Sequence, residues 1–129
     1  MEHQLLDRYA DIAVLCRSFG VRQLDVFGSA AVGGFDGVSS DYDFIAVFTP
    51  RPDTFLARRF LGFNEALEDL LGRRVDLMTD RRVANPYLRA AIDRSRQTLY
   101  VEPAYDTLMK NLPALADILA AELAKFPPP

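Results

Sequence analysis

The chain has one cysteine, one histidine and no apolar run approaching the length of a membrane span. One cysteine excludes an internal disulfide and fits a reducing cytoplasm. Cys16 falls on the apolar stripe of the first helix, where core packing is its expected role. His3 stands alone near the amino terminus, so histidine-based catalysis and zinc sites have nothing to build on. The opening MEHQLLDRYADI carries acids and lacks the apolar stretch of a secretory signal. A soluble cytoplasmic protein with no membrane association is expected. Excess positive charge is missing too: a net charge of -3 argues against direct nucleic-acid binding through bulk electrostatics.

What is present suits a single globular domain. The 129 residues are 50% hydrophobic and 26% charged, enough to bury a proper core, with no internal repeat, low-complexity segment or domain boundary. Charge is unevenly placed. Ten of the thirteen arginines fall between Arg51 and Arg96, against seven acids, whereas the segment after Val101 has four acids and two lysines. Solvated helix faces account for most such arginines; the other reading is a surface for a triphosphate or an acidic partner.

In chain order, Leu5, Leu6, Tyr9, Ile12, Ala13, Cys16 and Phe19 recur at helical spacing from about Glu2 to Phe19, and Gly20 is a natural stop. Val21 to Phe27 reads as a strand, and Ser29-Ala30-Ala31 as the start of a short helix. Asp41 to Phe48 is a second strand. From Asp53 or Thr54 as N-cap, the apolar positions Leu56, Phe60, Phe63, Leu67, Leu70 and Leu71 predict a helix ended at Gly72. Arg73 to Thr79 is a third strand, with Val75, Leu77 and Thr79 on one face and Asp76 and Met78 on the other. Asn85 followed by Pro86 starts another helix, and Gln97 to Glu102 is a fourth strand. Residues 104–126 form a helical tail with apolar residues at three- and four-residue spacing, in which Pro113 predicts a kink or a restart. That stripe reads either as a docking surface or as a helix packed on its own domain.

The organising stretch is VFGSAAVGGFDGVSSDYDFIAV, Val26 to Val47. Asp41 and Asp43 lie two apart on a strand and so face one way, while Tyr42, Phe44 and Ala46 face the other. Adjacent carboxylates repel, and the natural remedy beside phosphate is a Mg²⁺ ion. The Gly28-Ser29 turn supplies the other half of a phosphate site: glycine lets the backbone approach a ligand and the hydroxyl adds a donor. Asp76 is a third acid, within an otherwise apolar strand.

These residues resemble the minimal nucleotidyltransferases of the DNA polymerase beta-like superfamily. The family's pattern is matched by Gly28-Ser29, Ala31-Val32-Gly33, Ser40-Asp41-Tyr42-Asp43-Phe44 and Asp76, and the likeness runs from about Val21 to Glu102. Two features depart from it: Val32 stands where arginine is usual, and the glycine-rich loop is one residue longer. The resemblance implies an α/β (α+β) fold, a small mixed sheet flanked by helices, in a single domain over 1–129 with its core at 21–102. It further implies that Asp41, Asp43 and Asp76 are catalytic and hold Mg²⁺, two ions in all, against ATP. Gly28, Ser29 and Ser40 would contact the nucleotide.

Short members of this kind resemble the antitoxin half of HEPN/MNT toxin-antitoxin pairs. That likeness implies transfer of AMP from ATP to a tyrosine of a HEPN ribonuclease partner, neutralising it. Two alternatives stand beside it. One is a non-catalytic antitoxin that blocks the toxin by binding; the other is a nucleotidyltransferase acting on a small molecule such as an antibiotic.

Overall fold

The computed structural model describes residues 1–33, 41–51, 55–79 and 85–124. Its elements are α1 (His3–Asp7), α2 (Tyr9–Phe19), β1 (Val21–Phe27), α3 (Ser29–Val32), β2 (Tyr42–Phe48), α4 (Leu56–Leu71), β3 (Val75–Thr79), α5 (Pro86–Ser95), β4 (Gln97–Val101) and α6 (Pro103–Leu123). The four strands form one sheet in the order β3-β2-β1-β4. β1 runs antiparallel to both β2 and β4, and β2 and β3 are parallel, so the sheet is mixed as expected.

Strand alternation sorts the sheet into two faces. Leu24, Val26, Tyr42, Phe44, Ala46 and Leu77 are buried with Leu5, Ile12, Cys16, Phe63, Leu67 and Leu71 of α1, α2 and α4. Each such side chain contributes about 2 kcal/mol relative to exposure, so this is the main core. On the opposite face Ile45 of β2 and Ile92 of α5 are buried together, with Phe27 and Met78 packed against them. Cys16 lies in the main core, where burial pushes its thiol up to about 12. It is a packing residue.

The expected first helix is two. The chain departs from helical geometry at Arg8 (φ -99°, ψ 12°), between α1 and α2. Of the expected stripe, Leu5, Ile12, Ala13 and Cys16 are buried whereas Leu6 and Tyr9 are exposed. The break lets Leu5 enter the core while Gln4 donates to the Leu71 carbonyl at 2.8 Å. The start of α4 also differs: its N-cap is Phe55, with no side-chain cap hydrogen bond, and the expected caps Asp53 and Thr54 lie outside the described residues. Asn85 caps α5 as expected, its side-chain oxygen accepting from the N–H groups of Tyr87 and Leu88.

Arg59 is an exception to the reading of most of these arginines as solvated. Only 7% exposed, it donates to the carbonyls of Phe19 (3.0 Å), Thr49 (2.7 Å) and Gly20 (2.9 Å), tying α4 to the end of α2 and to the strand edges. Gly20 ends α2 at φ 69°, and a Cβ there would stand 2.5 Å from the Arg59 guanidinium. Glycine therefore serves both as helix stop and as room for that cation.

α6 bears on the choice left open for the tail. From Thr107 to Glu122 every residue whose side chain is described is exposed, including Leu108, Met109, Leu112, Ile118 and Leu119. Among the described residues, the helix meets the domain through its first turn, where Arg22 lies 5.4 Å from the Tyr105 ring centre, and its later side chains stand exposed. It also runs without a break through Pro113, so the helix does not restart there. Proline removes one helical N–H, and on an exposed helix water can serve the carbonyl left over. Among the described residues no helix is long and apolar enough to cross a membrane.

Candidate active site

Strand β1 delivers the chain to Gly28, whose backbone (φ 73°, ψ -152°) lies where side-chain-bearing residues are strained. Both of its backbone polar groups are engaged. Its carbonyl accepts from Ala31 (3.1 Å) and Val32 (3.3 Å), starting α3, and its N–H donates to the Ser95 hydroxyl at 2.9 Å. A Cβ on Gly28 would come within 3.0 Å of the Asp43 carboxylate, so the absent side chain is what lets turn and acid meet. Helix α3 is held from behind. Ala30 and Ala31 are buried, and the Ala30 carbonyl accepts from the N–H of Glu2 at 2.7 Å. Ser29 takes the first position of α3, beside the amides that the first helical turn leaves without internal acceptors.

The acids come next. Phe27, Asp43 and Asp76 stand in one row across β1, β2 and β3, which places Asp43 and Asp76 on the same face as neighbouring residues of parallel strands. Asp41 is exposed just before β2, Asp43 is half-buried and Asp76 is exposed. Burial, reinforced by the charges of Asp76 and then Asp41, pushes the Asp43 carboxyl up to about 6. Three carboxylates thus influence one another at one end of the sheet. Tyr42, between Asp41 and Asp43, is fully buried on the opposite face and donates its hydroxyl to the Gln4 side chain at 2.5 Å. That anchor fixes the start of β2, and the two acids with it.

Whether this arrangement suits a cation is decided by its donors. They are all carboxylate oxygens, the set that hard divalent cations prefer, and the raised proton affinity of Asp43 comes first from burial and then from the charges of Asp76 and Asp41, which a cation would offset. Among the described residues no three acidic or metal-ligating side chains converge tightly enough to form a finished metal cage. The chemistry of the donors fits a hard cation.

Ser40 lies outside the described residues. Gly28, Ser29, Asp41, Asp43 and Asp76 come together at one end of the sheet as the sequence pattern implies, and Val32 ends α3 with 63% of its surface exposed. Sequence reasoning missed two supports. Asp25, 2% exposed, is paired with Arg96 and accepts from Gln23 at 3.0 and 3.1 Å. An acid in the apolar run LDVF was the available signal, the same one that singled out Asp76. Ser95 gave none, being a serine at the end of a helix 67 residues from its partner.

Comparison with known proteins agrees with this geometry. The nucleotidyltransferase domain family model matches residues 12–99. The chain belongs to that family and is a nucleotidyltransferase. It is 31% identical over 80 residues to a Methanocaldococcus jannaschii protein named "putative protein adenylyltransferase", a match covering 62% of this chain and 78% of that one. A solved "putative minimal nucleotidyltransferase" superimposes with a TM-score of 0.61 at 32% identity, over 75% of this chain and 95% of that chain. The fold is also that of an MNT antitoxin solved in complex with the tri-AMPylated Shewanella oneidensis HEPN toxin, with a TM-score of 0.53 at 19% identity and 93% of each chain covered.

Proposed function

We propose that this nucleotidyltransferase transfers AMP from ATP to a tyrosine of a partner HEPN ribonuclease and so acts as its antitoxin. The observation that carries the chemistry is the row formed by Asp43 and Asp76, with Asp41 beside it and the Gly28 turn close enough to Asp43 that a side chain there would meet its carboxylate. The relative named for protein adenylyltransferase activity and the AMPylated complex support the acceptor class.

Asp41, Asp43 and Asp76 would hold Mg²⁺, two ions in the full site, which when bound neutralises triphosphate charge and lowers the pKa of an acceptor hydroxyl. The rest falls to the chain itself. Ser29 and the first turn of α3 face the distal phosphates, and Gly28 brings that turn close to the acids. The acceptor's phenolic oxygen forms a bond to the α-phosphorus as the bond to pyrophosphate breaks, with Asp76 placed to orient that oxygen and take its proton. The apolar face of α6, exposed through Leu108, Leu112 and Leu119, supports docking of a protein acceptor.

The test is intact mass of the partner ribonuclease after incubation with this protein, ATP and Mg²⁺. A gain of one or more AMP units with loss of ribonuclease activity is expected. Neutralisation by a stable complex without any mass gain would instead establish an antitoxin that acts by binding, a reading the exposed Val32 in place of arginine favours.

A further inference from the structure

The C-terminal end of α5 reaches back to the glycine turn. Ile92 is buried against Ile45 on the α5 side of the sheet, and Arg96, just past the helix, is paired with the buried Asp25 of β1. Ser95 lies between these anchors and has little freedom to move. Its hydroxyl accepts the Gly28 N–H at 2.9 Å and is placed to donate to the Ile92 carbonyl at 3.4 Å, which points a lone pair at Gly28.

The Gly28 N–H is therefore not aimed at a phosphate here; Ser95 holds it. We propose that Ser95 is a positioning residue: it clamps the Gly28 turn from α5 and so sets the distance between the first turn of α3 and the Asp43 carboxylate. Three facts make the clamp consequential. Gly28 has no side chain to restrain its backbone, so the conformation of the turn depends on the hydrogen bonds that hold it. Its carbonyl starts α3, so any rotation of the Gly28 peptide swings the helix that carries Ser29. A Cβ built on Gly28 would stand 3.0 Å from the Asp43 carboxylate, so turn and acid lie close together and a rotation of the turn outward changes their separation. Losing the Ser95 hydroxyl removes the restraint against that opening. Phosphates bound at α3 would then stand farther from the three carboxylates.

This inference rests on the nucleotide site proposed above, and its test separates the two. Ser95→Ala and Ser95→Thr are compared with the unaltered protein by hydrogen exchange at the Gly28 amide, by ATP affinity with Mg²⁺, and by thermal melting. In Ser95→Ala the Gly28 amide exchanges faster and ATP binds about three- to tenfold more weakly, the scale of one net hydrogen bond. Ser95→Thr keeps the hydroxyl and restores both, while the melting temperatures of the two variants stay alike. Unchanged ATP affinity in Ser95→Ala, or equal weakening in Ser95→Thr, would overturn the positioning role. If the unaltered protein binds no ATP while Gly28 exchange still responds to Ser95→Ala, the clamp exists and the proposed nucleotide site is what fails.

Discussion

Asp43 and Asp76 occupy the same register position on two parallel strands, so that two carboxylates stand side by side on one face of the sheet. Partial burial, with the charges of Asp76 and then Asp41 added to it, raises the proton affinity of Asp43 until its carboxyl titrates at about 6. Proteins do not gain stability from such a row, which makes its presence informative about chemistry.

The pH dependence of stability follows from that value. The folded-state pKa of Asp43 lies above the 3.8 of an unperturbed aspartate, so the fold favours the protonated form. Its contribution is fully present below about pH 4 and lost as pH rises through about 6. Asp43→Asn removes the charge, and in EDTA at pH 8 should stabilise the protein by on the order of 1 kcal/mol, a figure already reduced for solvent screening of a half-exposed group. At pH 4 the two proteins should melt alike. Thermal melts across this range check the sign; an Asn variant less stable at pH 8 would contradict it.

Cation binding should reverse the same penalty. Above pH 6, millimolar Mg²⁺ raises the melting temperature of the unaltered protein through preferential binding to the folded state, and leaves Asp43→Asn unmoved. Below pH 5 protons compete and the rise disappears. The same calorimeter reads both.

Gly28→Ala should fail at the site more than in the fold. The positive φ and the 3.0 Å approach to Asp43 cost about 1–3 kcal/mol of stability, which urea unfolding measures. ATP binding should drop out of measurable range in protein that is still folded at low temperature, because the turn must move off the carboxylate.

Arg96→Ala tests the support beneath the site. Asp25 is 2% exposed, and among the described residues the side chain that donates to it besides Arg96 is Gln23. Breaking one side of a buried pair costs about 3 kcal/mol, and here it also loosens the end of α5. Arg96→Ala combined with Asp25→Asn should recover much of the loss in urea titrations, since no uncompensated charge remains.

Charges placed on α6 should leave the domain intact. Leu112→Asp with Leu119→Asp alters side chains already exposed, so the melting temperature should shift by less than the equivalent of about 0.5 kcal/mol. Binding to the partner ribonuclease, read by size-exclusion chromatography, should be lost. A large fall in melting temperature would mean that α6 covers its own domain after all.

Much of the fold was legible because its signals are local. Alternation places Tyr42 and Phe44 inward and Asp43 outward, and Asn85-Pro86 starts α5 where a capping side chain and a fixed φ require it. What was not legible depends on distant partners. Nothing near Arg59 in sequence shows that three carbonyls from α2 and the strand edges will receive it, and nothing near Ser95 points to Gly28. The break at Arg8 is likewise set by tertiary contacts, since Gln4 must reach both Leu71 and Tyr42. For the site, the motif gave the residues, and the structure added the register that sets Asp43 beside Asp76.

The most direct measurement is transfer of label from α-phosphate-labelled ATP to the partner ribonuclease, with the unaltered protein and Asp43→Asn side by side in Mg²⁺. The unaltered protein should label the partner, and Asp43→Asn, folded and still bound to it, should do so at no more than about one-hundredth of that rate, the scale expected when a metal-holding carboxylate is lost. Equal labelling by both would contradict the assignment of the acidic row as the catalytic centre.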